Sequence, residues 1–167
     1  DLLALWLKLL QRHAEVRELY SHQFQHVLVD EYQDTNKIQA DIVDALASAH
    51  RNVMVVGDDA QAIYSFRAAT VDNILNFPAQ FNPPAQVVLL EQNYRSTQPI
   101  LAASNAVIGL AGERFTKSLW SDRGSARKPL LVAVGDEADE ARDVAERVRE
   151  QREAGIALKA QAALVRS

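Results

Sequence analysis

The chain has 167 residues, 48% hydrophobic and 24% charged, with a formal net charge of −4 and no cysteine. That is enough apolar material to fold as one domain or as pieces of two, which excludes a disordered chain, and the missing thiols exclude disulfides and thiolate metal sites, as fits a cytoplasmic protein. The mild acidity leaves room for a local basic groove, no apolar run reaches membrane-spanning length, and the start lacks the basic region and cleavage site of a signal peptide, so no membrane partner is expected.

Residues 1–20 read as one helix, with Leu2, Leu3, Trp6, Leu9 and Leu10 at helical spacing and Asp1 at its N-terminal end. A membrane-surface helix is disfavoured because the polar side carries no basic stripe. His26 to Asp30 follows as a short β-branched run, HVLVD, that reads as a buried strand and ends in the adjacent carboxylates Asp30 and Glu31. Carboxylates at the C-terminal end of such a strand sit where open α/β sheets bind ligands. There Asp30 can hold the magnesium ion that bridges nucleotide phosphates, and Glu31 can orient or deprotonate a water. The plainer reading is a strand followed by an acidic capping loop.

Thr35 or Asn36 can cap a helix carrying Ile38, Ile42, Ala45 and Leu46. Asn52–Gly57, NVMVVG, is a second strand ending in carboxylates, Asp58 and Asp59. Two strand–loop–helix units in succession favour a parallel sheet with helices on its faces. The loop AQAIYSFRAA gathers Gln61, Tyr64, Phe66 and Arg67 within ten residues, a chemically unusual content for a polar loop. Thr70 can cap a short helix that Pro78 ends, and NPP at 82–84 is a turn. QVVLLE at 86–91 reads as a third strand. Ser96 or Thr97 starts a helix with Pro99 in its first turn. Residues 112–127 read as an irregular connection. PLLVAV at 129–134 reads as a strand, Asp136 caps a long charged helix that Gly155 ends, and 160–165 reads as a last strand. The chain starts without Met and stops on ALVRS, and both ends imply a piece cut from a larger protein.

Three motifs, HVLVDEYQDTN, VVGDDAQAIYSFRAA and LLEQNYRST, in this order and at this spacing, resemble the UvrD/Rep/PcrA family of superfamily 1 DNA helicases. KSLWSDRG, DEARDVAERV and ALVRS extend the resemblance more weakly. It implies an α/β fold, a partial P-loop NTPase (RecA-like) parallel sheet with flanking helices. Residues 1–91 would be the second half of a first motor domain and 92–167 the start of a second. The implied activity is ATP-dependent 3′–5′ DNA unwinding, with ATP and Mg²⁺ as cofactors and single-stranded and duplex DNA as partners. By the resemblance, Asp30 holds Mg²⁺, Glu31 is the general base, and Gln61 senses the γ-phosphate and relays nucleotide state to the DNA site. Tyr94 stacks on adenine and Arg95 is an arginine finger. Tyr64, Phe66 and Arg67 contact single-stranded DNA, with Phe66 as the stacking platform.

The family's usual loop reads GDDDQSIYGWRGA. Here Ala60 and Ala62 replace Asp and Ser, Ser65 and Ala68 stand where Gly is usual, and Phe66 replaces Trp. The two missing glycines matter wherever φ must be positive. No GxGKT phosphate loop occurs in these residues, so the chain by itself is expected to turn over no ATP. With part of a sheet present, exposed edges and apolar faces predict self-association. Two other classes fit the motifs: a truncated, non-catalytic homologue that serves as a protein-binding module in DNA repair, and part of a helicase–nuclease subunit.

Overall fold

Helices dominate the first residues because their apolar side chains recur at helical spacing, but they form two helices and not one. A computed structural model describes residues 1–165 of the chain. Leu2–Arg12 is α1 and Ala14–Gln23 is α2, with His13 between them in an extended conformation (φ −119°, ψ 92°). This corrects the single helix expected over 1–20, and packing gives the reason. In one straight helix Trp6 and Tyr20 would lie about 21 Å apart along the axis. The break at His13 brings their rings edge to face, 5.0 Å between centroids.

Val27–Val29 (β1) and Val53–Val55 (β2) pair in parallel, Val27 opposite Val53 and Val29 opposite Val55. Lys37–Leu46 (α3) crosses between them. Of the two candidate caps, Asn36 is the one used: it accepts from Gln39 N–H while the Gln39 side chain accepts from Asn36 N–H. The architecture is mixed α/β, a small parallel sheet flanked by helices.

One face of the sheet builds the core. Val29, Val53 and Val55 pack against Tyr32, Ile74 and Phe77. Ile74 lies on the short helix Asp72–Asn76 (α4), which gives way to a 3-10 turn at Pro78 as expected from the proline. Residue Thr70 accepts from Asp72 N–H, although Val71 is the cap position itself. Gly57 follows β2 where the chain passes closest to that core. A Cβ there would sit 2.5 Å from Gln33 Oε1 and 2.8 Å from Ile74 Cδ1, so only glycine fits.

The other face is uncovered. Leu28 and Met54 are 67% and 54% exposed, so the strands are half-buried on one side and open on the other, contrary to the buried run read from HVLVD. Three further expected strands, 86–91, 129–134 and 160–165, are absent among the described residues. A strand exists only as a pairing, and Val87, Val88, Leu89, Leu90, Leu130 and Leu131 all stand exposed without a ladder partner. Gln92 makes a single isolated bridge with Trp120.

Gln98–Ile108 is α5, begun at Thr97 with Pro99 in its first turn, and 112–127 is irregular, both as expected. The chain divides into two compact units, Asp1–Arg127 and Lys128–Ser167. The second is built on Glu137–Glu153 (α6), capped by Asp136 through Asp139 N–H and followed by Gly155 at φ +95°. Its charges pair along the helix, Arg147 with Asp143 and Arg142 with Asp139, as a solvated face does. No helix among the described residues is long and apolar enough to cross a membrane.

Candidate functional site

The carboxyl ends of β1 and β2 lie side by side because the strands are parallel and in register. After β1 the chain turns sharply. Glu31 adopts a left-handed conformation (φ 50°, ψ 42°), a strained state for a residue with a Cβ, and its N–H is held by Asp30 Oδ1 at 2.9 Å. Gln33, only 1% exposed, then reaches in both directions. Its Nε2 donates to Glu31 Oε2 at 2.7 Å, and its Oε1 accepts from Asp58 N–H at 3.0 Å. One buried amide therefore ties the two strand-end loops together. It leaves Glu31 Oε1 open.

After β2 the loop is a short 3-10 turn, Asp59–Gln61, capped by Asp58. Asp58 Oδ2 accepts from Gln61 Nε2 at 2.8 Å. Lys117, from the irregular segment, donates to Asp58 Oδ1 and, at 2.7 Å, to Asp59 Oδ1. The second oxygen of Asp59 accepts from Phe115 N–H. Burial pushes the Asp58 carboxyl up, but hydrogen bonds from Lys117 and Gln61 outweigh it and hold the group below 3.8. Burial likewise pulls the Lys117 ammonium down, and the two aspartates more than reverse that, raising it above 10.5.

The linkage has a definite sign. A depressed carboxyl contributes stability that is present above 3.8 and is lost as pH falls through its folded value. A raised ammonium contributes stability that is present below 10.5 and is lost as pH rises through its folded value. The difference in unfolding free energy between the chain and its Lys117→Met variant should therefore be flat between those limits and shrink outside them, as thermal melts across pH would read. A difference that varied steadily inside the window would contradict this.

Glu31, Gln33, Asp34, Gln61 and Tyr64 line one open cavity of about 480 Å³. Three of the residues singled out in the sequence, Glu31, Gln61 and Tyr64, thus line one cavity beside the adjacent strand ends. Asp34 Oδ1 is buried there without a hydrogen-bond partner. Among the described residues no three His, Asp or Glu side chains converge in a way that would hold a resident metal. Magnesium needs no such cluster, since one or two carboxylates with phosphate and water oxygens complete its shell.

Three residues beyond Gln61 the loop turns outward. Phe66 is 75% exposed, which rules out a role in the core. Its ring lies 5.7 Å from that of Tyr64, and the Arg67 guanidinium covers both, 5.2 Å from Tyr64 and 5.5 Å from Phe66. Ala68, where glycine was the usual residue, has φ 59°. A left-handed alanine is costlier than glycine by about 1–2 kcal/mol, partly offset by glycine's chain entropy. Ala68→Gly should stabilise the chain by roughly 0.5–1 kcal/mol in urea unfolding; a loss of stability would show that the loop does not need this conformation.

Tyr94 and Arg95 sit on a separately braced turn. Asn93 Oδ1 accepts from the N–H groups of Arg95 and Ser96, and the Arg123 guanidinium donates to the carbonyls of Tyr94 and Arg95. Their side chains face outward. Tyr94 is 76% exposed with its hydroxyl on Gln92, and the Arg95 guanidinium has no hydrogen-bond or ion-pair partner among the described residues. Neither lines the cavity of Glu31 and Gln61.

Gln33 and Lys117 were not singled out from sequence, and Asp58 was read only as a carboxylate at a strand end. Gln33 lies inside the DEYQD motif, two residues after Glu31, and only its burial reveals the bridge. Lys117 is 59 residues from Asp58, and no local pattern links them.

Two family models match the chain. The UvrD/REP helicase N-terminal domain covers residues 1–82 and the UvrD-like helicase C-terminal domain covers residues 88–167. Among curated proteins, it is 44% identical to an ATP-dependent DNA helicase PcrA from Leuconostoc citreum over 92% of this chain and 20% of that protein. It is 45% identical to the protein of that name from Staphylococcus aureus, over 84% and 19%. For Staphylococcus epidermidis the figures are 41% identity over 93% and 21%. The chain therefore spans about a fifth of the length of the relatives it matches.

Proposed function

The chain belongs to the UvrD/PcrA family of superfamily 1 helicases, and on that premise we propose that it carries part of the motor of an ATP-dependent 3′–5′ DNA helicase. Residues 1–91 would supply the second half of one RecA-like domain and residues 92–167 the beginning of the next. The observation that carries this reading is the convergence of Glu31 and Gln61 on one cavity, with the exposed Tyr64–Phe66–Arg67 cluster on the same loop as Gln61.

Each side chain has a task that its surroundings favour. Asp30 would hold Mg²⁺, which when bound with ATP offsets the charge of the phosphates. Glu31 keeps one oxygen on Gln33 and the other open, so it can take the proton of an attacking water. Gln61 would sense the γ-phosphate. Arg95, unpaired on a braced backbone, would neutralise charge that develops on the transferred phosphoryl group, and Tyr94 would stack on adenine. Phe66 and Tyr64 would stack on bases while Arg67 meets a phosphate.

The test separates binding from chemistry. A labelled oligothymidylate should bind the 167-residue chain, with affinity falling as salt rises. ATP turnover should stay at the blank level, because no glycine-rich phosphate loop lies in these residues. Turnover above blank that Glu31→Gln abolished would refute the second expectation. Absence of salt-dependent binding would refute the first.

A further inference from the structure

We infer that Lys117 is a positioning residue, which sets the conformation of the loop bearing Gln61 and the aromatic–arginine cluster by holding Asp58 and Asp59. The inference deepens the proposed function and rests on it for the meaning of that loop. Its support is a continuous line of polar contacts. Phe115 N–H binds Asp59; Lys117 binds both Asp59 and Asp58; Asp58 binds Gln61. The Lys117 side chain is 14% exposed and that of Asp59 3%, so neither charge can be left to solvent.

The two aspartates are adjacent in sequence and their carboxylates share one ammonium. Remove the ammonium and two partly buried like charges face each other. The more exposed of the two, Asp58, has the shorter way out to water. It cannot take that way and keep Gln61 Nε2, because turning the carboxylate out to water moves both of its oxygens, the one on Gln61 and the one on Ala60 N–H. Gln61 is thus released when Lys117 is lost, and Tyr64 to Arg67, three residues on, lose the anchor of their loop. A lysine that merely filled space would not single out these residues.

Assigned ¹H–¹⁵N spectra of the chain and its variants decide the matter. In Lys117→Met the side-chain amide of Gln61 should shift and lose protection from exchange, and the backbone amides of 58–61 and 64–67 should shift with it. The amides of Val27–Val29 and Val53–Val55 should stay in place. Lys117→Arg, which keeps the charge, should restore the wild-type positions. A folded Lys117→Met with Gln61 and 64–67 unmoved overturns the inference, and so do shifts spread equally over the sheet. If the methionine variant does not fold, Lys117→Gln reads the same link; if neither folds while Lys117→Arg does, the lysine is a structural tie only and the inference fails. Oligothymidylate binding is measured on the same samples. A wild-type chain that ignores DNA refutes the DNA-binding reading, and the spectra still decide the role of Lys117.

Discussion

Phe77→Ala is expected to destabilise the chain by about 3–5 kcal/mol, the usual cost of emptying a buried aromatic site. Phe77 is 7% exposed, with its ring edge to face with Tyr32 at 5.5 Å and tilted against Phe81 at 5.0 Å. The loss would remove much of the margin of an ordinary domain, about 5–15 kcal/mol. The site goes with the core. Tyr32 lies between Glu31 and Gln33, and Ile74, also buried there, approaches Gly57. Urea unfolding followed by circular dichroism would measure it. A shift below about 1 kcal/mol would mean that the helical side of the chain, around Leu10 and Ile42, carries the stability instead.

Phe66→Ala should do the opposite, leaving stability within about 0.5 kcal/mol and weakening single-stranded DNA binding about five- to a hundredfold. Base-on-aromatic stacking contributes about 1–3 kcal/mol per base, and Phe66 offers an exposed ring that no neighbour covers fully. Truncation also removes one of the two rings under Arg67 and loosens the guanidinium that would meet a phosphate. Fluorescence anisotropy with a labelled oligothymidylate reads the affinity, and a melt of the same sample reads the fold. Unchanged affinity would exclude Phe66 as a stacking platform. A large drop in melting temperature would show that the ring supports the loop.

The two aromatics show how far a sequence can be read here. Phe66 and Phe77 are the same residue type eleven positions apart, and nothing in the local pattern sorts one outward and the other inward. The motif around Phe66 points outward by resemblance, whereas the short helix before Pro78 has too little periodicity to place Phe77. The loop's missing glycines were a sharper case. The departure at Ala68 was visible in sequence, but its cost became definite only with a positive φ at that residue, while Ser65 lies in a 3-10 turn without one.

The sequence by itself determined the local elements: the two β-branched strands ending in carboxylates, a cap at Thr35 or Asn36, the cap at Asp136, and the helix stops at Pro78 and Gly155, while Asp30, Glu31, Gln61, Tyr64, Phe66, Arg67, Tyr94 and Arg95 were named by resemblance. The local elements depend on neighbours within a few residues, so a linear reading reaches them. Only the tertiary structure decided which apolar runs become strands, because ladder hydrogen bonds need a partner strand and 86–91 has none among the described residues. It also decided the break at His13, made so that Trp6 can reach Tyr20. Above all it decided the wiring of the strand-end loops through Gln33 and Lys117. Burial makes those two side chains consequential, and burial is set by chain segments that are distant in sequence.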